Sequence, residues 1–332
     1  MNDIILVTGG AGYIGSHTCK KLYDSGYTPV VVDNMIFGHK WAVKWGPLEE
    51  CDLLDTDSLD KIFKKYSPAA VIHFAGYTHV ANSIKIPSRY YENNVIGTLS
   101  LLKTMCRNDC TRLVFSSSCA IYGIPETNPI NEEIPSSPIS PYGATKLMVE
   151  RILRDFDQAY GVRYISLRYF NAAGADPDSV IGEAHNAETH LIPLSIKTIM
   201  CKGRALSIYG TDYPTKDGTA VRDYIHVYDL ALGHINSLKK LAEGQKSEII
   251  NLGSGKGYSV LEIAESISQI SGKPLYVEYC DRRAGDPPVL ISSIEKAKKT
   301  LDWDLKFSDL DTIISSAWNW HLKYEQTGCS KL

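Results

Sequence analysis

Within Ser140-Pro141-Tyr142-Gly143-Ala144-Thr145-Lys146, a phenol and an amine stand four residues apart. Ser140 is a favoured helix N-cap type and Pro141 suits the first helical position, so a helix is predicted to start here. Tyr142 and Lys146 then emerge on one face of its first turns. An ammonium beside a phenol favours the ionised form, so the Tyr142 pKa is expected to fall from about 10 toward working pH. That chemistry is a proton shuttle, with Lys146 as the tuning charge. The spacing by itself is also that of ordinary helix surface. Its meaning rests on what precedes it.

What precedes it begins at the N-terminus. Thr8-Gly9-Gly10-Ala11-Gly12-Tyr13-Ile14-Gly15 follows the apolar run Ile4-Ile5-Leu6-Val7 and opens a helical stretch through Leu22. Strand, glycine turn and helix in that order is the context in which such a motif signals dinucleotide binding. Gly9, Gly12 and Gly15 permit a tight turn, close backbone approach to a pyrophosphate and close helix packing. The helix N-terminus offers free N–H groups to phosphate. A second strand, Pro29-Val30-Val31-Val32, ends at Asp33-Asn34, and Asp33 follows Gly15 by 18 residues. An acidic residue there grips ribose hydroxyls and repels a 2′-phosphate, which favours NAD over NADP. The plainer reading of Asp33 is a turn residue at a strand end.

The elements that must position these groups alternate. Strands are expected at 69–74, 112–115, 164–169 and 248–252, with helices at 58–66, 94–107 and 142–160. Such alternation predicts a doubly wound parallel sheet with helices on both faces, a Rossmann-type α/β fold. Ligands of such sheets bind beyond the carboxyl ends of the strands, where Gly9, Asp33, Ala75, Ser118 and Asn171 all fall. Glycine, proline and polar residues accumulate after Asn171. A boundary is therefore placed near 175: a dinucleotide domain over 1–175, completed by about 222–255, and a smaller mixed α/β substrate domain over 176–332. The polar tail from Glu325 is expected to be frayed.

Composition narrows the class. The 332 residues can bury a large core, and 44% hydrophobic with 22% charged content is that of a globular protein. A net charge of -3 gives no reason to expect nucleic acid or an anionic membrane as partner. The eight cysteines are scattered, with no spacing that resembles a zinc site, so no metal is expected and free thiols fit a reducing compartment. With no basic leader and no apolar run of about 18 residues, a cytoplasmic location is expected.

The glycine motif, a serine at a strand end and Tyr-x-x-x-Lys together resemble the extended short-chain dehydrogenase/reductase superfamily. Within it, Gly10-Ala11-Gly12-Tyr13-Ile14-Gly15-Ser16-His17, Asn93-Asn94-Val95, Ser116-Ser117-Ser118, Arg168-Tyr169-Phe170-Asn171, Val221-Arg222-Asp223-Tyr224-Ile225-His226-Val227 and Arg282-Arg283-x-Gly285-Asp286 resemble the UDP-glucose 4-epimerase family. The resemblance implies NAD-dependent inversion at C4 of a UDP-hexose through a 4-keto sugar. Tyr142 would take the proton of the 4-hydroxyl, Ser118 would hydrogen-bond the 4-oxygen, and Lys146 would bind the nicotinamide ribose. It further implies cofactor contacts at Gly9, Gly12, Tyr13, Ile14, Gly15, Asp33, Asn34, Asp52, Leu53, Phe74, Ala75, Gly76, Asn93 and Phe170. For the UDP-sugar it implies Asn171, His190, Arg222, Tyr224, Arg283, Asp286 and Leu290. Arginine suits a diphosphate because its planar fork makes paired charge-assisted bonds. Asp223 and His226 read as structural groups. Relatives of this kind pair as homodimers through two helices per subunit, here 94–107 and 142–160, where Met148, Ile152 and Phe156 form an apolar row.

Three positions depart from the family pattern. A lysine usual after Phe-Ala-Gly is replaced within Tyr77-Thr78-His79, and His190 stands where an asparagine often meets the diphosphate. Leu290 aligns with the position whose bulk admits or excludes an N-acetyl group; its intermediate size leaves UDP-N-acetylhexosamines open. A 4,6-dehydratase would need an acid/base pair beyond the active-site hydroxyl, whereas Ser118 is followed by Cys119-Ala120-Ile121. UDP-pentoses and UDP-uronates remain alternative substrates, and a non-catalytic NAD-binding regulator is the alternative of a different class.

Overall fold

The computed structural model describes residues 3–186, 188–201, 205–283 and 285–326. The tail beyond Gln326, expected to fray, lies outside the described residues. In chain order the first half contains β1 (Ile4–Thr8), α1 (Tyr13–Asp24), β2 (Thr28–Asp33), β3 (Leu48–Glu50), α2 (Thr56–Tyr66), β4 (Ala70–His73), α3 (Val80–Lys85), α4 (Pro87–Tyr90), α5 (Gly97–Arg107), β5 (Arg112–Ser118) and α6 (Pro141–Tyr160). The second half contains β6 (Arg163–Tyr169), β7 (Asn171–Ala173), α7 (Leu191–Met200), β8 (Leu206–Tyr209), β9 (Val221–His226), α8 (Val227–Ala242), β10 (Glu248–Leu252), β11 (Gly257–Ser259), α9 (Val260–Ser271), β12 (Val277–Cys280), β13 (Val289–Leu290), α10 (Glu295–Leu301) and α11 (Leu310–Gln326).

Seven parallel strands form the main sheet in the order β10-β6-β5-β4-β1-β2-β3. Successive side chains of a strand point to opposite faces, and each face here is covered. Ile5 and Val7 join Val31, Ile72, Ile165 and the α8 residues Leu230 and Leu238 on one side. Leu6 joins Val30, Val71, Leu113, Phe63 of α2, Leu102 of α5 and Leu153 of α6 on the other. This is why the β1 run is apolar without alternation. The chain leaves β1 toward β2 on one side and returns to β4 on the other, so a crevice opens between the β1 and β4 loops.

The return over 222–255 is divided between two sheets. β9 is the centre of a second sheet, paired with β7, β11 and β13, whereas β10 takes the edge of the main sheet beside β6. α8 joins the two. A separate core of Ile192, Ile196, Tyr224, Ile263, Ile313 and Trp318 supports the second sheet. The helix expected from Asn94 begins as a π-helix, Tyr91–Ile96, before α5.

Candidate active site

Residues 9–15 form a bare helix entrance. Gly9 takes φ +70, and a Cβ on it would lie 2.6 Å from the Ala75 nitrogen, so the β1 and β4 loops touch only because residue 9 is glycine. A Cβ on Gly15 would collide with the Gly9 carbonyl oxygen. Gly12 is the N-cap of α1 and provides no side-chain cap, which leaves the first N–H groups of the helix for an anion. Tyr13 donates its hydroxyl to the Gly174 carbonyl at 2.5 Å, and Ile14 packs on the core.

Asp33 ends β2 nearly buried, accepting from the backbone N–H of Ala11 at 3.1 Å and of Met35 at 2.9 Å. Burial pushes its pKa up and these two bonds oppose the rise. Asn34 donates to Asp52 at 2.9 Å, and the Leu53 carbonyl accepts from Ser100, so the β2 and β3 ends are tied together. Phe74 packs on His234. A Cβ on Gly76 would stand 3.3 Å from Asn94 Oδ1 and 3.8 Å from Lys146 Nζ, which puts the β4 loop beside α6. Asn93 donates to Asn94 at 2.9 Å.

At the start of α6, the Ser140 hydroxyl accepts from the Gly143 N–H at 3.2 Å with Pro141 in the first turn, the cap read from residue types. Ser118, at the end of β5, accepts from the Ala120 N–H at 3.1 Å. Lys146 Nζ lies 5.9 Å from the Tyr142 ring centroid and donates to the Ser116 carbonyl at 2.6 Å. The expectation of a lowered Tyr142 pKa is corrected here. Burial drives the phenol up to about 12, and the neighbouring Ser118 hydroxyl opposes the rise. Burial also pulls Lys146 down to about 8, so the counter-charge itself is weakened.

The remaining residues gather on the second sheet and its border. Asn171 and Tyr224 are register partners across β7 and β9, and Arg222 and Leu290 across β9 and β13. Arg222 is ion-paired with Asp286 and donates to the Val221 carbonyl at 2.8 Å. The Arg283 guanidinium sits 4.0 Å over the Tyr209 ring. Phe170 and Leu290 meet in one apolar cluster with Tyr122 and Ile130. His190 precedes α7 as its N-cap residue and pairs through Nδ1 with Glu183. Asp223 holds Ser254, Gly255 and Ser292, and His226 caps α8 through the Tyr228 N–H, so both are structural by geometry. His79 caps α3 by accepting from Asn82, and so serves the loop in which the family's lysine is missing.

Three positioning groups escaped the sequence reading. Asn94 accepts from the Tyr77 N–H, donates to the Tyr77 carbonyl and reaches Thr145 at 3.2 Å, bracing the β4 loop against α6. Glu150, one turn beyond Lys146, accepts from Ser117, Ser166 and Arg168 in the core. Glu183, His185 and Glu188 join His190, already singled out on the substrate side, in a cluster whose Glu-x-His-x-x-Glu-x-His spacing was the available signal.

Residues 5–253 match the NAD dependent epimerase/dehydratase family. The chain belongs to that family. It is 48% identical over 324 residues to a UDP-glucose 4-epimerase of Rhizobium leguminosarum bv. trifolii, covering 98% of this chain and 99% of the relative. The structure of UDP-glucose 4-epimerase from Brucella ovis in complex with NAD superposes with a TM-score of 0.94 at 48% identity, covering 96% of this chain and 98% of that one. The UDP-Glc/GlcNAc 4-epimerase from Campylobacter jejuni gives a TM-score of 0.85 at 38% identity, over 97% and 100% of the two chains.

The residues of this family member fit a nicotinamide dinucleotide. A glycine-rich cradle meets an uncapped helix end, a carboxylate is oriented where ribose hydroxyls would sit, and Lys146 stands beside Gly76 at the crevice. Adjoining them, a serine–tyrosine pair can exchange a proton with a substrate oxygen. Among the described residues no helix is long and apolar enough to cross a membrane.

Proposed function

We propose that this crevice inverts C4 of a UDP-hexose: the chain is an NAD-dependent UDP-glucose 4-epimerase that interconverts UDP-galactose and UDP-glucose through a transient 4-keto sugar. The observation that carries the reading is Lys146, anchored on the Ser116 carbonyl and standing 5.9 Å from the Tyr142 ring, with Ser118 at the carboxyl end of the same strand next to the glycine crevice. When bound, NAD supplies reversible hydride acceptance at C4. Tyr142 takes the 4-hydroxyl proton and later returns it, and Ser118 hydrogen-bonds the 4-oxygen. Lys146 holds the nicotinamide ribose and lends its charge to the phenolate.

In the same reading Gly9, Gly12, Tyr13, Ile14 and Gly15 hold the pyrophosphate, and Asp33, Asn34, Asp52 and Leu53 hold the adenosine end. Phe74, Ala75, Gly76, Asn93 and Phe170 line the nicotinamide end. Arg222 and Arg283 take the UDP diphosphate, with Asn171, His190, Tyr224, Asp286 and Leu290 around the uridine and sugar. The absence of a carboxylate in Cys119–Ile121, the short helix after Ser118, favours epimerisation over dehydration. Incubation with UDP-galactose without added cofactor is expected to yield UDP-glucose; no conversion even with NAD supplied would reject the reading.

The same proposal includes a homodimer formed through α5 and α6. Ile96 and Met148 are exposed while Ile152 and Phe156 pack partly on the core, which leaves part of the apolar row open. Sedimentation is expected at twice the 36.8 kDa chain mass. A cytoplasmic setting is supported by the seven described cysteines, all outside disulfides.

A further inference from the structure

A fourfold donor set lies apart from the serine, tyrosine and lysine. One ligand atom each from Glu183, His185, Glu188 and His190 falls within 4.8 Å of all the others. Glu183 is buried; its Oε1 is 3.3 Å from His185 Nδ1 and is paired with His190 Nδ1. Both imidazoles therefore aim the same nitrogen at one carboxylate. Their rings meet edge to face at 5.3 Å between centroids.

Glu188 supplies the independent observation. Its side chain is 4% exposed, and one oxygen, Oε1, accepts from the N–H groups of Thr189 at 2.8 Å and His190 at 2.9 Å. The other oxygen, Oε2, is buried without a hydrogen bond and stands 3.5 Å from His185 Nδ1. A buried carboxylate oxygen with no donor is costly unless something positive meets it. A proton on His185 could meet only one of the two carboxylates well. A divalent cation at the centre would satisfy all four groups.

We propose that Glu183, His185, Glu188 and His190 bind one zinc ion. Two imidazole nitrogens with two carboxylate oxygens suit tetrahedral Zn²⁺, whereas Mg²⁺ and Ca²⁺ take oxygen donors. Zinc bonds of about 2.0–2.2 Å place ligand atoms about 3.4 Å apart, so the wider pairs need to close and the Glu183–His190 pair to open, each by roughly 1 Å. With four protein ligands the site is closed and structural. The loop around it is already anchored on both sides: His39 hydrogen-bonds the Ala184 carbonyl at 2.6 Å, and Gly182 packs so tightly on Trp320 that a Cβ would enter the indole. His190 leads directly into α7. The metal would thus fix the approach to α7. His190 also belongs to the proposed UDP-sugar set, so the test reads metal binding and unfolding rather than turnover.

The test uses the full chain, free of any histidine tag, with its nicotinamide retained. After removal of metal with a chelator and dialysis, Co²⁺ is added and the visible spectrum recorded, followed by Zn²⁺ titration and elemental analysis. One equivalent of Co²⁺ should give the intense bands of a tetrahedral centre, and one equivalent of Zn²⁺ should abolish them. His185→Ala and Glu188→Gln should each weaken Zn²⁺ binding at least 100-fold, and the zinc-dependent rise in unfolding temperature should vanish in both. If His185→Ala does not fold, Glu188→Gln, which keeps the side-chain volume, decides alone. Less than a tenth of an equivalent bound by the wild-type chain, or bands unchanged in the folded variants, would overturn the proposal.

Discussion

Lys146 donates a 2.6 Å hydrogen bond to the Ser116 carbonyl while standing 5.9 Å from the Tyr142 ring. The amine is thereby anchored on β5, two residues before Ser118, so the three functional groups are fixed relative to one strand end. The phenol is buried and rises to about 12, and Lys146 falls to about 8. The proton shuttle therefore depends on every positive charge that reaches it. Lys146→Met should lower kcat and move the acid limb of its pH profile upward by at least one pH unit. Initial-rate product analysis from pH 6 to 10 checks this; an unmoved limb would show that Lys146 does not tune the phenol.

Tyr142→Phe deletes the shuttle and keeps the ring in its packing. A drop in kcat of about 10²–10⁴-fold is expected, the range for loss of a general acid–base group. Bound nicotinamide should be retained, as read by absorbance of the denatured supernatant. A fully active variant would remove Tyr142 from the mechanism.

Arg222, proposed to take the UDP diphosphate, pairs with Asp286 and is in register with Leu290. Arg222→Met should raise KM for UDP-galactose and weaken inhibition by UDP at least tenfold, with little change in cofactor content. The two can be compared in one preparation by inhibition kinetics and by nicotinamide assay. Equal loss of both would place Arg222 in general support of the fold.

Leu290 shares its cluster with Phe170, Tyr122 and Ile130, so added bulk there enters a defined space. Leu290→Tyr should lower kcat/KM for UDP-N-acetylgalactosamine relative to UDP-galactose by about 10–200-fold, the scale of discrimination an apolar pocket provides. Parallel kcat/KM measurements with both sugars are sufficient. An unchanged ratio would locate N-acetyl discrimination elsewhere.

Acid stability follows from buried histidines. Burial lowers His17 and His234 to about 4 and His73 and His226 to about 3. The unfolded chain binds protons at these sites once the pH falls below about 6.5, whereas the folded chain does not until pH 3–4. Their stabilising contribution is therefore complete above about pH 6.5 and is lost as the pH falls toward 4. Urea midpoints at pH 7.5, 6 and 5 should fall in that order, and His73→Asn should flatten the dependence. A midpoint constant between 7.5 and 5 would contradict it.

Much of the site was readable because its signals are local. The apolar run of β1, the glycines at 9, 12 and 15, Asp33 and the Ser140-Pro141 start each act within a few residues, where sterics and capping leave few alternatives. Their spacing along alternating strands and helices then implied convergence at one end of a parallel sheet. The chain by itself thus determined the main sheet, the crevice and the residue types within it.

Tertiary structure decided what depends on distance through space. β9 lies in the second sheet because its partners β7, β11 and β13 are scattered from 171 to 290, a pairing no local pattern encodes. Asn94 became a brace and Glu150 a buried ion-pair partner only when α6 packed on the strands. The direction of the Tyr142 shift was reversed for the same reason. An i,i+4 lysine is visible in the sequence, but the water excluded from around the phenol is a property of the packed fold, and that desolvation is the first cause of the rise.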